Sequence, residues 1–196
     1  MDSTYDKMTE ALKRDDLVGA LKVLNDRVPH RYSAVYRMAP DDYLVIVAFV
    51  DKQGKPCPSF LLSVHRDVSF CQFAMKHEDG FRTSNSAEDK RLDGHPYQGL
   101  VNSYHAAPFM SVDGRVKGTI CHFDKGALPL PDEDFELLRL ASRVFPIHLR
   151  QALERTSGWR TESSPLHRCS ADHGRDHRQD GSTVQEWRQG GGPNRA

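Results

Sequence analysis

The run from Gly94 to Asp124, GHPYQGLVNSYHAAPFMSVDGRVKGTICHFD, limits what this chain can fold into more than any other stretch. It holds two apolar segments separated by Ser111-Val112-Asp113-Gly114. Asp-Gly between apolar runs predicts a β-hairpin, because both positions tolerate the positive φ that a tight turn requires. The first strand is read as Leu100 to Met110, carrying Tyr104, Pro108 and Phe109; the second, Arg115 to Phe123, alternates and is β-branched in its middle. Pro108 has no N–H to give to a ladder, so it is expected at a strand edge or bulge. Neighbours on a strand point to opposite faces. Tyr104 therefore opposes His105, Thr119 and Cys121 share a face, and His122 points with Ile120.

The segments before the hairpin supply partners for it. Residues 3 to 28 read as two helical pieces. Met8, Ala11 and Leu12 form one apolar stripe; Leu17, Val18, Leu21, Leu24 and Val28 form a longer one at helical spacing. Asp15 or Asp16 is placed to cap the second piece, and Pro29 ends it. Ser33 to Met38 and Tyr43 to Asp51 read as a strand pair around the turn Ala39-Pro40-Asp41-Asp42. Tyr43 to Val50 is apolar at every step, which predicts a strand near the sheet's centre. Ser59 to Val64 is read as a short strand, Val68 to Lys76 as a helix stopped by Gly80, and Phe81 to Thr83 as a brief strand. Ser84 to Gly94 is a polar loop. Leu128 to Leu153 is the last helix, with Asp132, Glu133 and Asp134 at its positive end and Pro146 expected to kink it.

Composition narrows the classes of function. The 196 residues carry 27 basic and 27 acidic side chains, so nothing suggests electrostatic steering of nucleic acid. No apolar run reaches the length of a membrane span, and the N-terminus lacks the order of a signal peptide. Cys57, Cys71, Cys121 and Cys169 show no CxxC spacing and are expected as reduced thiols of a cytoplasmic protein. From Ser157 onward Gly, Ser, Arg, His, Asp and Gln dominate, which predicts a disordered polar tail over residues 156–196. Its His167, Cys169, His173 and His177 do not match a common zinc spacing, and no metal site is expected.

Tyr104-x-x-x-Pro108, then Asp113-Gly114, then Gly118-Thr119-Ile120-Cys121-x-Phe123-Asp124, resembles the GAF domain, a small α/β sensor module. Ser69-Phe70-Cys71 and Asp89-x-Arg91-Leu92 match further pieces of that pattern in order. The resemblance implies an α+β domain over residues 3–155, with a central antiparallel sheet. The terminal helices would cover one sheet face and a ligand-pocket cap, Val68 to Gly94, the other. It implies a small-molecule-sensing or interaction module without catalysis of its own, acting in signal transduction through a partner protein or a change of oligomer. No helix-turn-helix, kinase nucleotide motif or cyclase sequence is visible. The resemblance identifies neither a ligand nor a cofactor. Cys71, Arg91, Tyr104, Thr119 and Cys121 are the side chains expected to meet the ligand. His95, His105 and His122 are weighed as a shared pocket lining and read instead as structural groups.

Two other readings follow from relatives of the same fold. Free methionine-R-sulfoxide reductases use cysteines, and Cys71 lies in the first turn of its predicted helix, but the cysteines here sit on different elements with no evident resolving pair. Phytochrome-type domains attach a bilin through Cys-His. Cys121-His122 is such a dipeptide, but it lies inside a strand and lacks the accompanying Asp-Ile-Pro. A homodimer is expected through the terminal helices, because Leu137, Ala141 and Val144 add a second apolar stripe beside Phe135, Leu138 and Phe145.

Overall fold

The computed structural model describes residues 3–111 and 114–157, with side chains described as far as Leu149. Residues 156–157 of the predicted tail close the last helix; its remainder from 158, with Cys169 and its histidines, and the hairpin tip at Val112-Asp113 lie outside the described residues.

Helices α1 (Ser3–Lys13) and α2 (Leu17–Arg27) form where the two apolar stripes predicted them. Asp16 caps α2: its carboxylate accepts from the Gly19 amide at 2.7 Å, satisfying one of the orphan donors of the first turn. The sheet has six strands in the order β3-β2-β1-β6-β5-β4, from β1 (Tyr32–Met38), β2 (Tyr43–Asp51), β3 (Ser63–His65), β4 (Phe81–Thr83), β5 (Ser103–Met110) and β6 (Val116–Asp124). Every neighbouring pair is antiparallel. Pro108 sits beyond the short β4, where β5 is an edge, and just before a register shift between Phe109 and Met110. The ladder loses little there.

One sheet face carries Val35, Ala48, Val50, Ala107, Phe109 and Ile120. These pack against α1, α2 and α5 (Asp132–Ser157) through Met8, Leu12, Leu21, Leu24, Leu138 and Phe145. The opposite face carries Ala34, Tyr36, Leu44, Tyr104, Ala106 and Cys121. It is covered by Phe70, Cys71, Ala74, Leu92 and Tyr97 from the segments between β3 and β5. Terminal helices on one side and a cap on the other is the expected architecture.

Four details differ from the sequence reading. β2 is not central; β1 and β6 are, and only the three-residue β3 separates β2 from the sheet edge, so several of its apolar side chains are half-buried. Ser59 to Val64 is not one strand: Ser59–Leu62 makes a helical turn (α3) after Pro58, and pairing starts only at Ser63. The helix predicted over Val68 to Lys76 is a 3-10 turn at Arg66–Val68 followed by a single α turn, α4 (Cys71–Ala74). The second stripe of α5 is used within the chain: Leu137 and Ala141 are buried and Val144 packs on the same core. That removes the argument from which a homodimer was expected. Pro146 lies inside α5, where the sequence reading placed it.

Candidate functional site

The cap closes over the sheet by apolar contact. Phe70, Phe73 and His95 form a triangle of rings, with the two phenylalanine centroids 4.4 and 5.7 Å from His95, and Phe70 meets Tyr104 edge-on at 5.5 Å. Between cap and sheet lies a cavity of about 50 Å³, lined by Tyr36, Tyr104, Cys121 and Phe123 from the sheet. Phe60, Leu61, Val64, Ser69, Phe70, Cys71, Tyr97 and Val101 complete the lining.

Of the five expected ligand contacts, three line this cavity: Cys71, Tyr104 and Cys121. Thr119 stands just behind them, fully buried, its hydroxyl 3.2 Å from Cys71 Sγ. The Tyr104 hydroxyl donates to the same sulfur at 3.0 Å. Cys71 is placed by its own turn, its amide donating to Ser69 Oγ at 3.2 Å. Cys121 Sγ points at Ala34 O, 3.6 Å away. Burial pushes the Cys121 thiol well above its usual range; the nearby Cys71 adds to this, while a hydrogen bond from Tyr104 opposes it. Burial likewise holds the Tyr36 and Tyr104 phenols up, with Cys71 and Cys121 close to both. The structure thus gathers two cysteines that are 50 positions apart around one phenol, where the sequence showed no pair.

Arg91 does not line this cavity. Its guanidinium is engaged outside the cavity: Nη2 donates to Asp89 Oδ2 at 2.6 Å and to Arg82 O at 2.7 Å, and it lies 4.6 Å over the Phe81 ring. The bond to Arg91 draws the Asp89 carboxyl down to about 2. The pair orders the polar loop. Tyr36, which the sequence reading passed over, lines the cavity from β1, and its hydroxyl is tied to Leu61 O at 3.1 Å. Strand alternation, with Ala34 and Tyr36 facing the same way, was the signal available for it.

The histidines separate. His95 belongs to the cap, whereas His105 and His122 lie on the helix-covered face with His30. This second polar group is fully buried. The His30 and His105 rings meet edge-on at 4.8 Å, His30 and His122 stack at 6.2 Å, and His122 Nδ1 is 2.6 Å from Ser33 Oγ. Asn25 joins it by donating to Ser33 Oγ at 2.7 Å and to His30 O at 3.1 Å. Cys121 and His122 therefore serve opposite sheet faces, as alternation requires, and do not meet at one bilin or metal. Among the described residues no group of three or more His, Cys, Asp or Glu is placed to hold a metal ion. Nor is any described helix long and apolar enough to cross a membrane.

No protein-family model and no curated protein matches the chain. Solved structures do. The GAF domain of an Acinetobacter phosphoenolpyruvate-protein phosphotransferase superposes with a TM-score of 0.63 at 12% identity, covering 79% of this chain and 95% of that one. A free methionine-R-sulfoxide reductase from Neisseria meningitidis, in complex with its substrate, superposes at 0.61 and 16% identity, covering 76% and 89%. The phycoerythrobilin-bound GAF domain of a cyanobacterial phytochrome gives 0.56 at 12%, covering 79% and 97%. A domain of a phosphotransferase, a reductase and a bilin-bound domain share this backbone, so the likeness carries the architecture and no single activity. The described residues of this chain form a domain of the GAF fold.

Proposed function

We propose that the chain is a ligand-sensing module whose small molecule binds between the sheet and the cap. The observation that carries this is the cavity itself. It is mostly apolar with a few convergent polar groups, the usual make-up of a ligand site, and it lies beneath a cap of single turns and short loops. Such a cap contains little regular hydrogen bonding of its own, so an occupant can order or shift it at small cost. The output then passes to a partner protein or to a second copy. Pairing of two copies would rest on Leu140 and Ile147, exposed and seven residues apart on α5. Light scattering at high micromolar concentration decides it, since a mass near 22.2 kDa rules pairing out.

The test of the reading is chemical. Freshly purified protein is denatured and the released small molecules are identified by gas and liquid chromatography with mass spectrometry. Val101→Trp fills the cavity from its half-buried margin and is the control. A compound released stoichiometrically by the wild type and absent from the variant is expected. Identical profiles would contradict a cavity ligand.

One observation favours a second reading, as a thiol reductase: Cys71 and Cys121 line the same cavity. Incubation with free methionine sulfoxide and dithiothreitol separates the two. The expected outcome is no reduction above the uncatalysed rate. Turnover that disappears in Cys71→Ser would make the protein an enzyme.

A further inference from the structure

The lining of the cavity contains no Asp, Glu, Lys, Arg or His side chain. Its polar atoms are hydroxyls and thiols, and the neighbours hold most of them. Tyr36 donates to Leu61 O, Cys121 lies toward Ala34 O, and the Tyr104 and Thr119 hydroxyls both converge on Cys71 Sγ. An ionised group placed there would leave water without a countercharge, which costs far more than the cavity can return. Size points the same way. At about 50 Å³, with one water taking roughly 10–15 Å³ on the same measure, there is space for a few heavy atoms and none for a nucleotide or a tetrapyrrole.

The Tyr104 hydroxyl is the exchangeable element. It now donates to a sulfur, a weak acceptor, at 3.0 Å. An oxygen acceptor entering the cavity offers it a better bond, while the Thr119 hydroxyl at 3.2 Å keeps the sulfur partnered. Tyr104 also links the two layers, because it stands on β5 and its partner Cys71 opens α4 of the cap. Moving this one hydrogen bond from Cys71 to a ligand would loosen the cap's first turn from the sheet.

We infer that the ligand is a small uncharged molecule bearing one hydroxyl or carbonyl oxygen, and that Tyr104 recognises that oxygen; this rests on reading the cavity as the ligand site. The acceptor class separates it from amino-acid, nucleotide and carboxylate ligands.

The experiment uses probes of four heavy atoms that differ in charge: acetone and propan-2-ol against acetate, with free methionine sulfoxide as a zwitterion. Each is titrated to millimolar concentration against protein labelled on its tyrosine rings, and the ring resonances of Tyr36, Tyr97 and Tyr104 are followed. Saturable shifts with acetone or propan-2-ol are expected, at affinities at least about a hundredfold above that of acetate. Tyr104→Phe should weaken the neutral probe roughly five- to tenfold, the share of one neutral hydrogen bond. Val101→Trp should abolish the shifts, and it keeps the test open if the Tyr104 variant does not fold. Tighter binding of acetate or methionine sulfoxide would overturn this inference and leave the cavity standing as a ligand site. Equal acetone affinity in folded Tyr104→Phe would remove Tyr104 from recognition. Saturable binding by no probe would overturn the inference and count against the ligand site as well.

Discussion

Acidifying the protein from pH 7 to pH 4 is expected to remove most of its stability. The buried trio on the helix-covered face is the cause. Burial lowers His30 to about 4, against the pull of Asp124, and lowers His105 to about 3, with His30 and Arg82 adding to the effect. His122 is driven well below its ordinary value by burial and then by the other two rings. Lys52 also disfavours charge on His30 and His122, and the Leu128 carbonyl, 3.3 Å from His105 Nε2, is a bond that the neutral ring already makes. The native state therefore binds fewer protons than the unfolded chain below pH 6.5, and its stability falls as the pH falls. At pH 4, depressions of this size correspond to roughly 3 kcal/mol each for His30 and His105, against a usual total of about 5–15 kcal/mol. Urea unfolding at half-unit intervals should show stability dropping from pH 6.5 toward pH 4, and His105→Leu should flatten the slope by about one proton. A flat profile across that window would mean that the trio takes up protons without cost.

Gly118→Ala is expected to be the most damaging methyl group that can be added to the sheet. A Cβ at this position would lie 2.0 Å from the Tyr36 carbonyl oxygen and 2.3 Å from the Phe109 ring. Gly118 pairs with Arg37 on β1 and with Phe109 on β5, so the clash falls in the central ladders. Backbone on one side and a buried ring on the other leave no flexible group to give way. Overpacking of this kind costs about 3 kcal/mol, the upper part of its usual range. That would lower the melting temperature by roughly 6–12 °C in a domain of this size. A loss below about 1 kcal/mol would show that β1 and β6 are not held as tightly as the register implies.

How much of this was legible in the sequence depends on the range of the interaction. Tyr43–Asp51 was found with its boundaries, because strand propensity and the turn at Pro40 are local signals. The hairpin strands and the Asp16 cap were legible for the same reason. The short helix Ser59–Leu62 was not: SFLL is as apolar as a strand, and Pro58 ahead of it decides the matter. The place of β2 in the sheet was misjudged because an all-apolar run reports burial by any neighbour, and here loops and the cap supply part of it. For the site, alternation put Tyr104 and Cys121 on the same face as the cap, and the structure brings Cys71 to them. Arg91 was chosen for its charge, and the structure pairs it with Asp89, two residues away and outside the cavity lining. The histidine trio was out of reach, since residues 30, 105 and 122 meet only through strand order.

The space between sheet and cap is proposed to be an apolar cavity that admits a small guest, and not a closed core. Crystals held under xenon pressure test it without assuming what the natural ligand is, because an apolar cavity large enough binds xenon. One xenon atom is expected among Tyr36, Tyr104, Cys121 and Phe123, with the sheet unmoved. Xenon found only elsewhere, with those side chains in contact across the site, would contradict the account.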